Sequence, residues 1–431
     1  MEVSGVIDFS VWLTITLTTL FVALFALYKT NNGRLKLMLI LMLASVYIYS
    51  GYGISYVEVS NRYVIHYIIL IICLVFPFCV YKNKSVDYES ENISSLDEYL
   101  LNHQVFIKRA AVLYLACMFI PLVYPNFKLF DIFKSGFSGL VGFYDLRVEY
   151  KSNALIGITD TLRIFVQPFF MAYLTILQLD DKRRKAVLLF CSTVLMAYMR
   201  YSYLGRYQMV IYALLIYLLS TSVKGFSVSI KKKQILLVAA AGFAAIPLLV
   251  MFTSIRVGNS YEGSVVFSEM LNMLINSEAY YPIHYDHIVT STYLDSQTPA
   301  TFILWLIFLP LPSFIWPGKP TLQSDAFTYS ISGMHYGDVG YSSSLPSFMG
   351  ESLMFFGENA YWIQGIIVGF VMVYIISTLS KHKTMTFFSI YLVVFVLTLG
   401  RGGASSYMST LINGSVAVFI MNFYVKHSYR K

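Results

Sequence analysis

The sequence predicts an all-α polytopic membrane protein with about 11 transmembrane helices (10–12) and one long loop that contains short or re-entrant helices. Of the 431 residues, 57% are hydrophobic and only 13% are charged, about half the charged fraction of a typical soluble domain. Apolar runs of about 20 residues, the length that crosses a bilayer, recur along the chain. All four cysteines lie inside apolar runs and form no CxxC pair, so we interpret them as small apolar residues. A cytosolic enzyme, a nucleic-acid-binding protein and a disordered scaffold are excluded.

Eleven apolar runs account for the predicted spans. They are residues 9–28, 37–57, 63–81, 110–125, 158–179, 186–201, 207–223, 235–254, 361–380, 384–399 and 407–425. The stretch 300–316 is also apolar, but Pro310 and Pro312 interrupt it too early for a helix that crosses the membrane. We therefore expect a re-entrant or interfacial segment there.

Lysines and arginines in the connectors predict the orientation of the chain. Of the 31 basic residues, 20 fall in one alternating set of connectors and in the carboxyl-terminal tail. Because cytoplasmic loops are enriched in these residues, we place this set and the carboxyl terminus in the cytoplasm and the amino terminus outside. The predicted domains are a bundle of about eight helices over 1–254, an outer loop over 255–360 and about three helices over 361–431.

The outer loop 255–360 is rich in carboxylates and aromatic rings. It holds nine acidic residues and only two basic ones, Arg256 and Lys319. Connections of more than about 15 residues are usually functional or disordered, and this one is too apolar and aromatic for disorder. Carboxylates beside flat rings suit a carbohydrate, because they accept hydrogen bonds from hydroxyl groups and offer faces for C–H stacking. The alternative is that the rings anchor the loop at the bilayer interface.

Basic residues on the predicted outer side are exceptions to the charge rule and are therefore informative. Four arginines lie in the outer connectors or at the outer ends of predicted spans: Arg147, Arg206, Arg256 and Arg401. Since a guanidinium group can grip phosphate oxygens through two hydrogen bonds, these four could converge on a pyrophosphate. The alternative for such residues is structural: Arg163 could pair with Asp160 on one helix face, and Arg200 could reach lipid headgroups.

Motifs for several kinds of chemistry are absent from the sequence. There is no P-loop and no GxGxxG, HExxH, DxD or GxSxG motif, so we expect no nucleotide, redox cofactor or nucleic-acid partner. His284 and His287, with Asp286 between them, have a spacing that could bind a metal. An ordinary pair of loop histidines is the preferred interpretation, so no metal is assigned.

Two stretches of the outer loop carry a family resemblance. The run LPLPSFIWPGKP (309–320) and the run SSLPSFMGESLMFFG (343–357) resemble segments of the O-antigen polymerases, the Wzy-type oligosaccharide repeat-unit polymerases. The chain departs from that family at Ser313 and Phe314, since the family segment often has arginine after its second proline. The resemblance implies a helical glycosyltransferase of the C-superfamily type in the bacterial inner membrane, with its long loop in the periplasm and a chain-length-regulating co-polymerase as a possible partner.

The resemblance also implies a reaction. A growing glycan leaves polyprenyl pyrophosphate and joins the non-reducing end of a lipid-linked repeat unit. We predict Arg147 and Arg206 to be catalytic through stabilisation of the departing pyrophosphate, and Glu351 to be the general base. The predicted substrate-binding residues are Arg256, Arg401, Lys319, Trp316, Asp338 and His335, of which Asp338 and His335 are the next candidates for the base. The alternative for Glu351 is a contact with a helix N-terminus in the turn before the ninth span.

Two other functions remain open. A lipid-linked oligosaccharide flippase or another transporter would be expected to bury charged residues in the middle of its spans and to have short outer loops, which this sequence does not show. An O-antigen ligase, which transfers a finished glycan to a lipid A core, would share nearly all of these features and differ in its acceptor.

Overall fold

A computed structural model describes most of the predicted spans and part of the outer loop. The described residues are 9–55, 60–81, 102–124, 153–180, 182–201, 214, 281–309, 311, 323–335, 338, 344–380 and 386–428. Every regular element in these ranges is a helix, which confirms the predicted all-α class.

The helices of the described residues are numbered in chain order. They are α1 Phe9–Lys29, α2 Gly33–Val46, α3 Asn61–Val80, α4 Gln104–Val123, α5 Ala154–Leu179, α6 Arg183–Tyr201, α7 Tyr285–Thr290, α8 Pro299–Ile307, α9 Gln323–Ser332, α10 Ser347–Ser380, α11 Thr386–Phe395 and α12 Thr398–Ser428. A π-helical turn, Tyr47–Gly51, and a 3-10 turn, Tyr52–Ser55, continue α2, and a 3-10 turn, Tyr281–His284, leads directly into α7.

Within the described ranges, six helices are long and apolar enough to cross a membrane. They are α1, α2 with its π-helical turn, α3, α4, α5 and α10. These helices coincide with the first five predicted spans and with the ninth, so the multi-pass character is confirmed. Helices α6, α11 and α12 coincide with three further predicted spans. The predicted spans 207–223 and 235–254 lie, apart from Leu214, outside the described residues, and the count of about 11 stays a prediction.

Helix α8 occupies the apolar stretch for which a re-entrant or interfacial segment was predicted. It has nine residues and begins at Pro299 after a reciprocal pair of hydrogen bonds between Thr298 and Thr301. At about 1.5 Å per residue a helix of this size is much shorter than the roughly 30 Å hydrocarbon core. The described part of this stretch therefore does not cross the membrane by itself.

The chain divides into two compact units. One unit combines Met1–Tyr88 with Glu278–Lys431, and the other is Glu89–Ser277. This division by packing differs from the predicted domains, which were drawn by position relative to the membrane and stay a prediction. In the first unit, α2 packs against the start of α12: the Ser45 hydroxyl donates to the Leu397 carbonyl and accepts from the Gly400 amide.

Helices α4, α5 and α6 belong to the unit Glu89–Ser277. Tyr114 of α4 stacks on Phe170 of α5 with ring centroids 4.6 Å apart, and both side chains are buried. On α5, Arg163 Nε lies 3.6 Å from Asp160 Oδ1. The structural alternative for Arg163 is thus confirmed, so this arginine is not assigned to a substrate.

In the other unit, α3 and α10 pack closely and run parallel. Gly365 and Gly369 of α10 face α3, where Cβ atoms on them would come within 3.2 Å of Leu70 O and 2.5 Å of Leu74 O respectively. Small residues four positions apart let two membrane helices approach closely. Because a four-residue step on α10 matches a four-residue step on α3, the two helices point in the same direction.

Helices α10 and α12 are each broken at a glycine. Gly357 in α10 has φ 68° and ψ 175°, and Gly403 in α12 has φ 73° and ψ −175°. Only glycine adopts this backbone conformation readily. Broken helices at membrane depth are tolerated where the non-helical backbone is buried in protein or lines a cavity. These two breaks build the site described next.

Candidate functional site

The site forms around the turn 400–406, whose sequence is Gly-Arg-Gly-Gly-Ala-Ser-Ser. Helix α12 breaks at Gly403 and resumes at Ala404. The first amide groups of a helix have no partner within that helix and need acceptors from elsewhere. The turn is therefore a place where a buried anionic group can satisfy backbone donors.

Glu351 of α10 supplies these acceptors. The Ser405 amide donates to both carboxylate oxygens at 3.2 Å, the Ser405 hydroxyl donates to Oε2, and the Ala404 amide donates as well. Glu351 is 0% exposed, and a buried carboxylate is tolerated only where hydrogen bonds compensate for the water that it loses. Glu351 thus makes a helix N-terminal contact, but with the resumed part of α12 and not in the turn before the ninth span.

Gln364 completes this network from the other side of the break in α10. Its Nε2 donates to Glu351 Oε1 at 2.6 Å. Residues 13 positions apart in a continuous helix would be separated by about 20 Å along the axis. The break at Gly357 therefore folds α10 back on itself so that both halves meet at the carboxylate.

The carboxylate also requires glycine at position 403. A Cβ atom on Gly403 would lie only 2.6 Å from Glu351 Cδ. The left-handed backbone and the absence of a side chain at Gly403 are both needed for Glu351 to reach the amides of the turn.

Arg401 lies in the same turn and is half-buried. Its Nε donates to the Tyr281 hydroxyl at 3.1 Å, and the Tyr281 ring packs edge-on against Tyr49 at 5.4 Å. The neighbouring Gly402 carbonyl accepts from Gln323 Nε2 at 3.0 Å. The turn is thus held from several elements, and these contacts fix the direction of the arginine.

Further contacts bring other helices close to the 400–406 turn. The Ser50 hydroxyl, in the π-helical turn after α2, donates to Ser347 Oγ at 3.3 Å, and the Ser50 backbone carbonyl accepts from the Tyr63 hydroxyl at 2.5 Å. Tyr63 in turn packs edge-on against Tyr285 at 5.2 Å. The end of α2, the start of α3, the stretch around α7 and the first half of α10 therefore meet near the 400–406 turn.

His335 and Asp338 contact each other. The His335 amide donates to Asp338 Oδ2 at 2.6 Å, and the Asp338 amide donates to the His335 carbonyl at 3.0 Å. The His335 ring stacks on Tyr329 with centroids 4.0 Å apart, and Tyr329 packs against Tyr293 at 4.7 Å. His335 and Asp338 are both exposed, so these side chains form a row of rings with a carboxylate beside it.

Five of the predicted site residues lie outside the described residues. They are Arg147, Arg206, Arg256, Trp316 and Lys319. The other four fall into two pairs, since Glu351 and Arg401 meet at the 400–406 turn while His335 and Asp338 bind each other.

The histidine pair considered for metal binding has ordinary partners. The His284 ring packs edge-on against Phe327, and His287 Nε2 is 3.1 Å from Ser330 Oγ. Burial and the neighbouring His287 lower the pKa of His284. Among the residues that the structure describes, no three histidines, cysteines or carboxylates come together as metal ligands.

Sequence reasoning missed a second polar cluster, formed by Arg62, His66, Tyr285 and Glu358. His66 Nδ1 lies 2.9 Å from the Tyr285 hydroxyl, and Arg62 Nη1 lies 3.6 Å from Glu358 Oε2. Burial, followed by the charge of Glu358, raises the pKa of Tyr285 to about 12. The available signal was Arg62, which is a further basic residue on the predicted outer side.

No model of a protein family, no curated protein and no solved structure matches this chain. The resemblance to O-antigen polymerases therefore rests on the sequence motifs, and function has to be argued from the site.

Proposed function

We propose that the protein is a polysaccharide polymerase that transfers a growing glycan from polyprenyl pyrophosphate to the non-reducing end of a lipid-linked repeat unit. The observation that carries the proposal is the buried Glu351 network, which fixes an arginine-bearing turn at one end of a helical membrane unit. A buried charge in such a unit is costly and usually serves a function.

The predicted positions of the elements around the 400–406 turn support an extracytoplasmic site. The end of α2, the start of α3, the loop around α7 and the 400–406 turn were all predicted to be outer from the charges of other connectors. Independently of those charges, α3 and α10 run parallel, which agrees with a topology in which the third and ninth spans cross the membrane in the same direction. We place this end at the periplasmic face of a bacterial inner membrane.

The proposed chemistry needs no nucleotide, because the lipid pyrophosphate is already a leaving group. The oxygen of the acceptor hydroxyl bonds to the anomeric carbon of the donor sugar, and the bond from that carbon to the pyrophosphate oxygen breaks. Arginines aimed at the leaving oxygens stabilise the charge that develops there. We assign this role to Arg401, held by Tyr281, and we extend it to Arg147, Arg206 and Arg256.

For Glu351, the geometry favours a positioning role over the predicted role as base. A general base must come within hydrogen-bond reach of the proton that it removes. Glu351 is 0% exposed, and its carboxylate accepts hydrogen bonds from Gln364, Ser405 and Ala404. We propose that it holds the 400–406 turn and thereby Arg401.

The row of rings ending at His335 supports a saccharide ligand. Tyr293 is 41% exposed, and His335 and Asp338 are exposed beside it. Flat rings stack against the C–H faces of sugars, and the Asp338 carboxylate accepts hydrogen bonds from sugar hydroxyls. We assign this row to binding of the glycan, with Trp316 and Lys319 as further proposed contacts.

A flippase or another transporter is the second candidate function. The observation that favours it is the pair of broken helices, since discontinuous helices often form substrate sites in transporters. An O-antigen ligase is compatible with the same site and differs only in the acceptor that it uses.

Analysis of glycan length in a deletion strain separates these functions. Loss of a polymerase leaves a single repeat unit on the lipid A core. Loss of a flippase removes the surface glycan, and loss of a ligase leaves finished polymer on the carrier lipid. Any result other than a single repeat unit on the core would overturn the proposed function.

A further inference from the structure

The cluster of Arg62, His66, Tyr285 and Glu358 has the composition of an acid–base site. His66 is a half-exposed side chain at the start of α3. Histidine changes its charge near neutral pH and is the side chain that most often transfers protons in catalysis. Unlike Glu351, which is fully buried, this histidine is partly exposed.

Contacts from two elements, α7 and α10, orient the imidazole ring. Nδ1 lies 2.9 Å from the Tyr285 hydroxyl, and the ring packs against Tyr361 of α10 at 4.6 Å. Glu358 is close enough to interact electrostatically with both His66 and Tyr285. Arg62, paired with Glu358, opposes the effect of that carboxylate on the imidazole. A base whose ring is oriented by a second group is a recurrent catalytic arrangement.

One helical stretch connects this cluster to the arginine site. Tyr281 binds Arg401, and Tyr285, four residues later in the continuous stretch formed by the 3-10 turn and α7, binds His66. The guanidinium of Arg401 and the imidazole of His66 are therefore each held by a tyrosine of one short helical stretch.

The break at Gly357 positions residues of both the His66 cluster and the Glu351 network. Glu358, immediately after the break, pairs with Arg62, while Gln364 on the same half of α10 binds Glu351 on the other half. The same backbone conformation thus places a carboxylate beside His66 and closes the network that holds Arg401.

We propose that His66 is the general base that accepts the proton of the acceptor-sugar hydroxyl, with Tyr285 as its positioning residue. This inference rests on the proposed function. In the reactive tautomer, Nδ1–H donates to the Tyr285 oxygen, and Nε2 takes the hydroxyl proton. As this proton moves, the sugar oxygen bonds to the anomeric carbon and the pyrophosphate leaves with the electrons of the broken bond. The imidazolium then releases its proton to water.

The test measures polymerisation by the purified full-length protein in liposomes. The substrate is the lipid-linked repeat unit extracted from a strain that lacks the protein. We expect His66→Ala to lower kcat by about 10²- to 10⁴-fold with little change in KM, and added imidazole to restore part of the rate. Tyr285→Phe keeps the ring against Tyr63 and should lower kcat by about 10-fold or more. His287→Gln, outside the cluster, is the matched control and should keep the wild-type rate.

The outcomes distinguish failure of the proposed polymerase function from failure of the assignment of His66 as the base. A wild-type protein that makes no polymer overturns the proposed function and this inference with it. A wild-type protein that polymerises, beside His66→Ala and Tyr285→Phe variants with kcat within about threefold of wild type, overturns the inference alone. If His66→Ala does not accumulate in the membrane, His66→Gln and Tyr285→Phe decide the question by the same kcat criterion.

Discussion

Glu351 is the residue on which the site depends most strongly. Glu351→Gln keeps the volume but replaces one acceptor oxygen with an amide NH₂ group. That group faces donors from Ser405, Ala404 and Gln364. Leaving a buried donor unsatisfied costs about 1–3 kcal/mol, so we expect the variant to unfold at a lower temperature in detergent.

Ser352→Ala is the control for this prediction. Ser352 is equally buried and next in sequence, but its hydroxyl donates to the Phe348 carbonyl within its own helix. If Glu351→Gln were as stable as Ser352→Ala, the Glu351 network would not stabilise the turn.

Arg401 is the described arginine that we propose to contact the pyrophosphate. Arg401→Lys keeps the charge but loses the planar group whose Nε donates to Tyr281 and which can bind phosphate oxygens through two hydrogen bonds. We expect the product ladder to collapse to short glycans, with a fall in rate of about 10²- to 10³-fold and normal abundance in the membrane.

Tyr281→Phe is the matched variant for Arg401→Lys, because it removes only the hydroxyl that orients the arginine. It should give a smaller loss. Wild-type chain length in Arg401→Lys would remove Arg401 from the mechanism.

Sequence reasoning selected Glu351 and Arg401 as candidate site residues but did not predict their geometry. Arg163 could be paired with Asp160 from sequence because both lie on one helix, three residues apart. Glu351 and Ser405 are 54 residues apart, and their contact depends on a positive φ at Gly403 that no periodicity reveals. His66 was missed because it lies inside an apolar run, where its spacing gives no sign of Tyr285, 219 residues away.

At the level of elements, the two broken helices position the chemistry. Gly357 and Gly403 have nearly the same backbone conformation, so an alanine at either position incurs a similar strain of about 1–3 kcal/mol. They differ in surroundings, since no atom of the described residues lies within 4 Å of a Cβ at Gly357, whereas a Cβ at Gly403 collides with Glu351.

We therefore expect Gly403→Ala to be less stable than Gly357→Ala and to lose more polymerising activity. Thermal unfolding in detergent and glycan length in cells measure the two effects. Equal losses for the two variants would mean that the Glu351 contact with the turn does not matter.

Apolar runs predicted where the helices lie better than they predicted where the helices break. The runs 9–28 and 63–81 correspond closely to α1 and α3. The glycine breaks in α10 and α12 were not predicted, because a single glycine in an apolar run is usually compatible with a continuous helix.

At the level of the whole molecule, the sequence predicted a multi-pass helical protein and a side for each connector. It did not predict which spans pack together, because hydrophobicity drives a helix into the bilayer without specifying its neighbours. The contact between Ser45 and Gly400 spans 355 residues and shows how the first helices and the last ones form one unit.

The central claim is that the end of this unit bearing Arg401, Glu351 and His66 faces the extracytoplasmic side. Single cysteines at Met334 and Asn31 test it, in a functional background without the four native cysteines. Met334 is 37% exposed near the row of rings, and Asn31 is exposed between α1 and α2. With a membrane-impermeant maleimide and an intact cytoplasmic membrane, we predict labelling at position 334 and none at position 31 until the membrane is disrupted. Labelling at position 31 but not at position 334 would contradict the account.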